Sequence, residues 1–145
     1  DDDARKEQII RAIYRQVLGN AYVMDSERQV VIESQFKLGE ISVREFVRRL
    51  AKSDLYRTRF FDDCARYRYI ELAFRHLLGR APVDFQEMRT HAERLDSHGY
   101  EADIDSFIEE GKEMIAELEA KLAAANAKLA AEEELRSTSP PLEFQ

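Results

Sequence analysis

The chain of 145 residues has no tryptophan, one cysteine and three prolines. A single cysteine makes no internal disulfide, so nothing staples the fold covalently, and a reducing compartment is expected. Pro140 and Pro141 sit near the end and Pro82 stands alone, which leaves long stretches free of helix breakers. No apolar run approaches the roughly 20 residues of a transmembrane helix, so no direct membrane insertion is expected. The acidic start, Asp1-Asp2-Asp3, is unlike a signal or transit peptide. There is no basic excess. The net charge is −7, with the acidity at the two ends and a near-neutral body between them. Bulk attraction to nucleic acid or to an anionic membrane is therefore not expected.

What is present is a repeat. Ile13-Tyr14-Arg15-Gln16-Val17-Leu18-Gly19-Asn20-Ala21 returns sixty residues later as Ala73-Phe74-Arg75-His76-Leu77-Leu78-Gly79-Arg80-Ala81. Gly39 matches Gly99, and one residue out of step Val43, Phe46 and Val47 match Ile104, Phe107 and Ile108. A period of this length marks a duplicated structural unit. Both copies repeat packing residues and helix-stopping glycines, and neither repeats a nucleophile, a metal ligand or a phosphate loop.

The apolar spacing is helical throughout. Ile9, Ile13 and Val17, with Ile10, Tyr14 and Leu18, form one stripe on a helix from Arg5 to Leu18. Ser26-Glu27-Arg28-Gln29 and Ser42-Val43-Arg44-Glu45 have capping-box form and predict two further starts. Ser53-Asp54 predicts a short helix through Phe61. Tyr67, Ile70, Phe74, Leu77 and Leu78 mark the next, ended by Gly79. Pro82 fits the first turn of a helix with the stripe Phe85, Met88, Ala92 and Leu95, and Asp103 the cap of the one carrying Ile104, Phe107 and Ile108. From Lys112 the chain is rich in Ala, Glu, Lys and Leu. Ile115, Leu118, Leu122, Ala125 and Leu129 are spaced like a coiled-coil seam and want a partner, either another protein or this domain. The expected fold is all-α: a duplicated helical unit in one compact domain over residues 5–111, a C-terminal extended helix over 112–136, and an extended Pro-containing tail over 137–145 that carries Leu142 and Phe144.

No spacing suggests catalysis. Glu87 and His91 lie one turn apart and would be half a metal site, but no further ligands stand at recognisable spacing, so a surface pair is expected. Cys64 reads as a buried or idle thiol, and Asp62-Asp63 as a helix break. The feature that stands out is Arg44, Arg48 and Lys52 on one helix face, followed by Arg57, Arg59 and Arg68, with Phe60, Phe61, Tyr67 and Tyr69 between them. Arginine and tyrosine favour protein interfaces, so this stretch is a candidate partner surface. The plainer reading is a solvated face with internal pairs such as Glu40–Arg44 and Glu45–Arg49. A helix-turn-helix on residues 26–52 would aim the same arginines at DNA, but the charge balance argues against it.

Several long segments resemble the linker-polypeptide domain of phycobilisomes. They include residues 10–20, Glu33-Ser34-Gln35, residues 39–48, Ser53-Asp54-Leu55-Tyr56-Arg57, Phe60-Phe61, and residues 67–72. They continue in His76-Leu77-Leu78-Gly79-Arg80-Ala81-Pro82 and residues 99–108. After Ile108 the family usually continues with an Asp/Glu-Tyr segment, whereas here Glu109-Glu110-Gly111 leads into the Ala/Glu-rich helix. The resemblance implies a non-enzymatic scaffold without a cofactor of its own. It would sit in the central cavity of phycobiliprotein α/β hexamers, join discs and other linkers, and tune the neighbours' bilins. Phe60, Tyr67 and Tyr69 would be the bilin contacts, and Arg44, Arg48, Lys52, Arg57, Arg59, Phe61, Arg68, Ile115, Leu118, Leu122 and Leu129 the partner contacts. The implied location is the phycobilisome, on the cytoplasmic or stromal face of the thylakoid membrane. A second reading keeps this body as a dock and uses the last helix to recruit another protein.

Overall fold

The computed structural model describes residues 2–19 and 22–138, and among them every regular element is helical. The order is α1 (Asp2–Val17), a 3₁₀ turn (Asp25–Glu27), α2 (Val30–Lys37), α3 (Val43–Lys52) and α4 (Asp54–Phe60). Then come α5 (Arg66–Ala73), a π turn (Phe74–Leu78), α6 (Phe85–His98), α7 (Tyr100–Glu110) and α8 (Lys112–Thr138). The repeat is visible in this order: α1, α2 and α3 correspond to α5 with its π turn, α6 and α7. Gly19, Gly39, Gly79 and Gly99, the stops shared by the copies, all have positive φ.

Like packs against like across the repeat: α3 lies on α7, and α1 lies on the π turn. The core between them holds Ile10, Ile13, Val17, Phe46, Val47 and Leu50 from the first copy and Ile70, Phe74, Leu77, Ile104 and Phe107 from the second. Tyr100 Oη donates to the Ala51 carbonyl at 2.6 Å, a buried bond between the copies.

Several local expectations hold. Ser42 Oγ accepts from the Glu45 amide at 3.1 Å and Ser53 Oγ from the Tyr56 amide at 3.3 Å, each filling an orphan donor of a first turn. Others are corrected. The second helix starts at Val30, not after Ser26, because Glu27 is engaged elsewhere. Its carboxylate accepts from the Met24 amide at 3.0 Å and takes Arg59, while the Gln29 amide donates to Tyr14 Oη at 2.8 Å. Pro82 lies ahead of α6 rather than in its first turn, and Asp84 is the cap, accepting from the Glu87 amide at 3.0 Å. Asp103 lies inside α7, which begins at Tyr100.

α8 begins one residue after α7 ends, with Gly111 at the joint. Gly111 is required by space rather than by its φ of −85°. A Cβ there would stand 2.3 Å from the Leu77 carbonyl oxygen of the π turn. This close approach turns α8 back along α1. Met114, Ile115 and Leu118 are buried in the domain core, and burial of such side chains is worth about 1.5–3 kcal/mol each as an upper bound. Leu122 and Leu129 are half-buried further along. Arg5 secures the far part by donating to the Ala125 carbonyl at 3.2 Å and pairing with Glu132. Of the expected extended tail, Ser137 and Thr138 belong to α8, and residues 139–145, with Leu142 and Phe144, lie outside the described residues.

Candidate partner-binding surfaces

The arginine-rich stretch spans α3, α4 and α5, and its cations are mostly held within the chain. Arg44 pairs with Glu109 at 2.8 Å, and Arg48 with Glu45 at 3.1 Å and Asp105 at 3.2 Å. Lys52 shares Asp105 at 2.9 Å. Arg59 binds Glu27 at 2.9 Å and the Tyr22 carbonyl at 3.1 Å. Arg57 lies over the Tyr100 ring at 4.6 Å and the Phe61 ring at 5.4 Å, with Asp62 at 3.9 Å. Arg68 reaches Glu71 at 3.4 Å and has its side chain 54% exposed. The Glu45–Arg49 pair forms at 2.9 Å, whereas Arg44 goes to α7 instead of Glu40. The acids of α7 thus neutralise the face that the arginine spacing picked out.

The aromatic candidates divide by burial. Tyr69 is fully buried and donates to Asp103 at 3.0 Å, so it cannot touch a neighbour's chromophore; its place in the repeat's core explains why. Phe60 is half-buried, against Tyr56 at 4.8 Å and His76 at 4.5 Å. Phe61 packs on Tyr69 at 4.9 Å and Tyr100 at 4.6 Å. Tyr67 is half-buried at the edge of the core. It lies 5.6 Å from Phe85, which is 63% exposed, with the Arg66 guanidinium over the Tyr67 ring. The spacing places Phe85 in the buried stripe of its helix, but the cap at Asp84 makes it the first helical residue and turns it outward.

The seam of α8 meets its own domain. Ile115 and Leu118 are 3% exposed each, so they are core residues and not a free partner surface. α1, with α3 and the π turn, supplies the partner that the spacing asked for.

Two polar clusters are buried beneath these surfaces. Tyr14 Oη donates to Glu33 at 2.6 Å, and Arg28 joins Glu33 at 2.6 Å to Glu7 at 2.5 Å. In the second copy His91 is not a surface residue paired with Glu87 but 1% exposed. Its Nδ1 meets Asp103 at 2.6 Å, its Nε2 meets Glu110 at 2.9 Å, and its ring stacks on Phe107 at 3.7 Å. Burial by itself would lower the imidazole, but the Asp103 and Glu110 carboxylates outweigh it and raise His91 to about 9. Glu87 pairs with Arg80 at 2.9 Å. Among the described residues no group of three or more His, Cys, Asp or Glu side chains is arranged to hold a metal ion, and no helix is long and apolar enough to cross a membrane. Cys64 is half-buried beside the core.

Residues 1–122 match the family model of the phycobilisome linker polypeptide. The chain belongs to the phycobilisome linker polypeptide family. Proteins of this family are structural and non-enzymatic. The match extends past residue 111 and takes in the buried first turns of α8. Among relatives, the phycoerythrin-associated 31.8 kDa rod linker of Microchaete diplosiphon is 72% identical over 103 residues, 71% of this chain and 36% of that protein. The phycoerythrin-associated 27.9 kDa rod linker of the same organism is 58% identical over 101 residues, 70% of this chain and 41% of its own length. The phycocyanin-associated 32.3 kDa rod linker of Picosynechococcus is 54% identical over 108 residues, 74% of this chain and 37% of its own. The chain thus matches only about two fifths of each of these relatives' length or less.

Proposed function

We propose that this chain is the hexamer-bound body of a rod linker. It occupies the central cavity of a phycobiliprotein hexamer, joins that disc to its neighbour, and alters the surroundings of the neighbour's bilins without carrying pigment. It works within the phycobilisome, on the cytoplasmic or stromal face of the thylakoid membrane. The observation that carries this reading is the 72% identity to a phycoerythrin-associated rod linker, against 54% to a phycocyanin-associated one, which favours a phycoerythrin disc. The ledge of half-buried Tyr67 and exposed Phe85, with Arg66 beside it, supports a contact by stacking and charge. The second reading, an adaptor recruiting through α8, loses much of its surface because Ile115 and Leu118 are spent inside the domain.

The test is co-sedimentation with purified phycoerythrin and phycocyanin hexamers, followed by emission spectra of the complexes. Association with phycoerythrin and a shifted emission are expected, and replacing Tyr67 and Phe85 with Ala should reduce the shift more than the binding. No association with either hexamer would refute the reading.

A further inference from the structure

A cleft of about 510 Å³ opens where α1, the π turn and α8 meet, away from the stretch in which sequence spacing concentrated the arginines. Its size lies within the range of about 300–1,000 Å³ typical of ligand pockets. Its floor is apolar: Ala12, Leu72, Met114 and Leu118. Its rim carries Arg15, Arg75 and Lys121.

These cations differ from those of α3 to α5. Among the described residues, no carboxylate pairs with Arg15 or Lys121, and Arg75 has only Glu71 at 3.9 Å with its side chain 60% exposed. Glu117 is the one acid among the described lining residues, and it forms no ion pair with them. Three cations without a close carboxylate partner thus ring one hollow with an apolar floor.

The walls are fixed in advance. Gln16 Nε2 donates to the carbonyls of Arg75 at 3.3 Å and His76 at 3.1 Å, tying α1 to the π turn. His76 in turn meets Tyr56 Oη at 3.0 Å. Burial, with help from Arg68 and Arg75, holds His76 down at about 4, so the wall behind the rim is neutral at ordinary pH and takes no charge from the cations. The third wall exists because Gly111 lets α8 fold back. A preorganised site loses less entropy on binding.

We propose that this cleft docks an acidic segment of a partner protein, with carboxylates on Arg15 and Lys121 and an apolar side chain over Leu72 and Leu118. A nucleic acid fits less well, because a continuous phosphate string wants a basic stripe and the net charge of −7 repels it. This inference rests on the hexamer-binding reading and locates one contact of it.

The experiment uses the whole chain and phycoerythrin hexamers at low and high ionic strength. Arg15→Glu with Lys121→Glu should weaken binding by about tenfold at low salt, and the deficit should shrink as salt screens it. Arg15→Lys with Lys121→Arg should bind as the parent does. A photo-crosslinking benzoylphenylalanine at Glu117, in an otherwise unchanged chain, should capture a carboxylate-rich segment of the hexamer, and this arm stands even if the charge-reversed protein misfolds. If the parent chain binds no hexamer, the functional reading fails first. If the parent binds and the reversed variant binds equally well, the cleft assignment alone falls. Cross-links to a second copy of this chain, or none at all, overturn it too.

Discussion

The two copies of the repeat each bury a carboxylate under a tyrosine hydroxyl, and they neutralise it by different means. In the first, Glu33 accepts from Tyr14 and takes Arg28, whose side chain is 30% exposed and always charged. In the second, Asp103 accepts from Tyr69 and takes His91, which is sealed in the core and can lose its charge. The clusters are not related by the repeat. Tyr14 corresponds to Phe74, and His91 to Val31, which is 69% exposed. Asp103 corresponds to Ser42, the cap of α3, but α7 starts earlier and swallows it. Duplication preserved the helices and their glycine stops, while each copy solved its own polar burial.

The sharpest way to break this comparison is to remove each carboxylate. Asp103→Ala leaves an imidazolium and a phenol without their shared acceptor in a dry core, and should cost about 3–5 kcal/mol in urea unfolding. Glu33→Ala leaves Arg28 to Glu7 and to water, and should cost about 1–3 kcal/mol. Equal losses would mean that the two clusters are equally wet.

The pH dependence sharpens the contrast further. His91 is raised to about 9 from an ordinary 6.5, so its contribution is whole below 6.5 and is lost as pH rises through about 9. The shift corresponds to roughly 3 kcal/mol. His76 is lowered to about 4, so the protein loses stability as pH falls from 6.5 towards 4. Melting temperature should peak near pH 6.5 and fall on either side of it. His91→Gln should lose the slope between 6.5 and 9 and keep the acid one. An unchanged upper slope would show that the imidazolium does not hold the pair.

How far the sequence was legible follows from which interactions are local. Helical periodicity, the Ser42 and Ser53 caps and the glycine stops depend on neighbours within a turn or two, and they were readable. The α8 stripe announced that it needed a partner, but not that α1 was it, because the Gly111 approach to Leu77 joins residues far apart in the chain. The arginine face was visible and its neutralisation was not, since Glu109 and Asp105 come from α7. His91 read as exposed because Asp103 and Glu110 reach it only after α6 and α7 pack. That Arg15 and Lys121 stand together on one cleft was not legible either, because α1 and α8 meet only after folding.

The smallest expected difference lies between two glycines that the repeat makes equivalent. Gly19 has φ +67° and Gly79 φ +71°, so alanine at either is strained by the left-handed backbone, about 1–2 kcal/mol. Their surroundings differ. A Cβ on Gly79 would find nothing nearer than Met114 Cγ at 4.0 Å, whereas one on Gly19 would stand 2.6 Å from His76 Nε2. His76 has little room to give way, with Tyr56 on its Nδ1 and Phe60 against its ring at 4.5 Å. Gly19→Ala should therefore destabilise by about 1 kcal/mol more than Gly79→Ala, as overpacking adds to backbone strain. Urea unfolding of the two variants side by side reads that difference directly. If the two midpoints coincide, the His76 ring has shifted freely, and the wall between α1 and the π turn is softer than its hydrogen bonds imply.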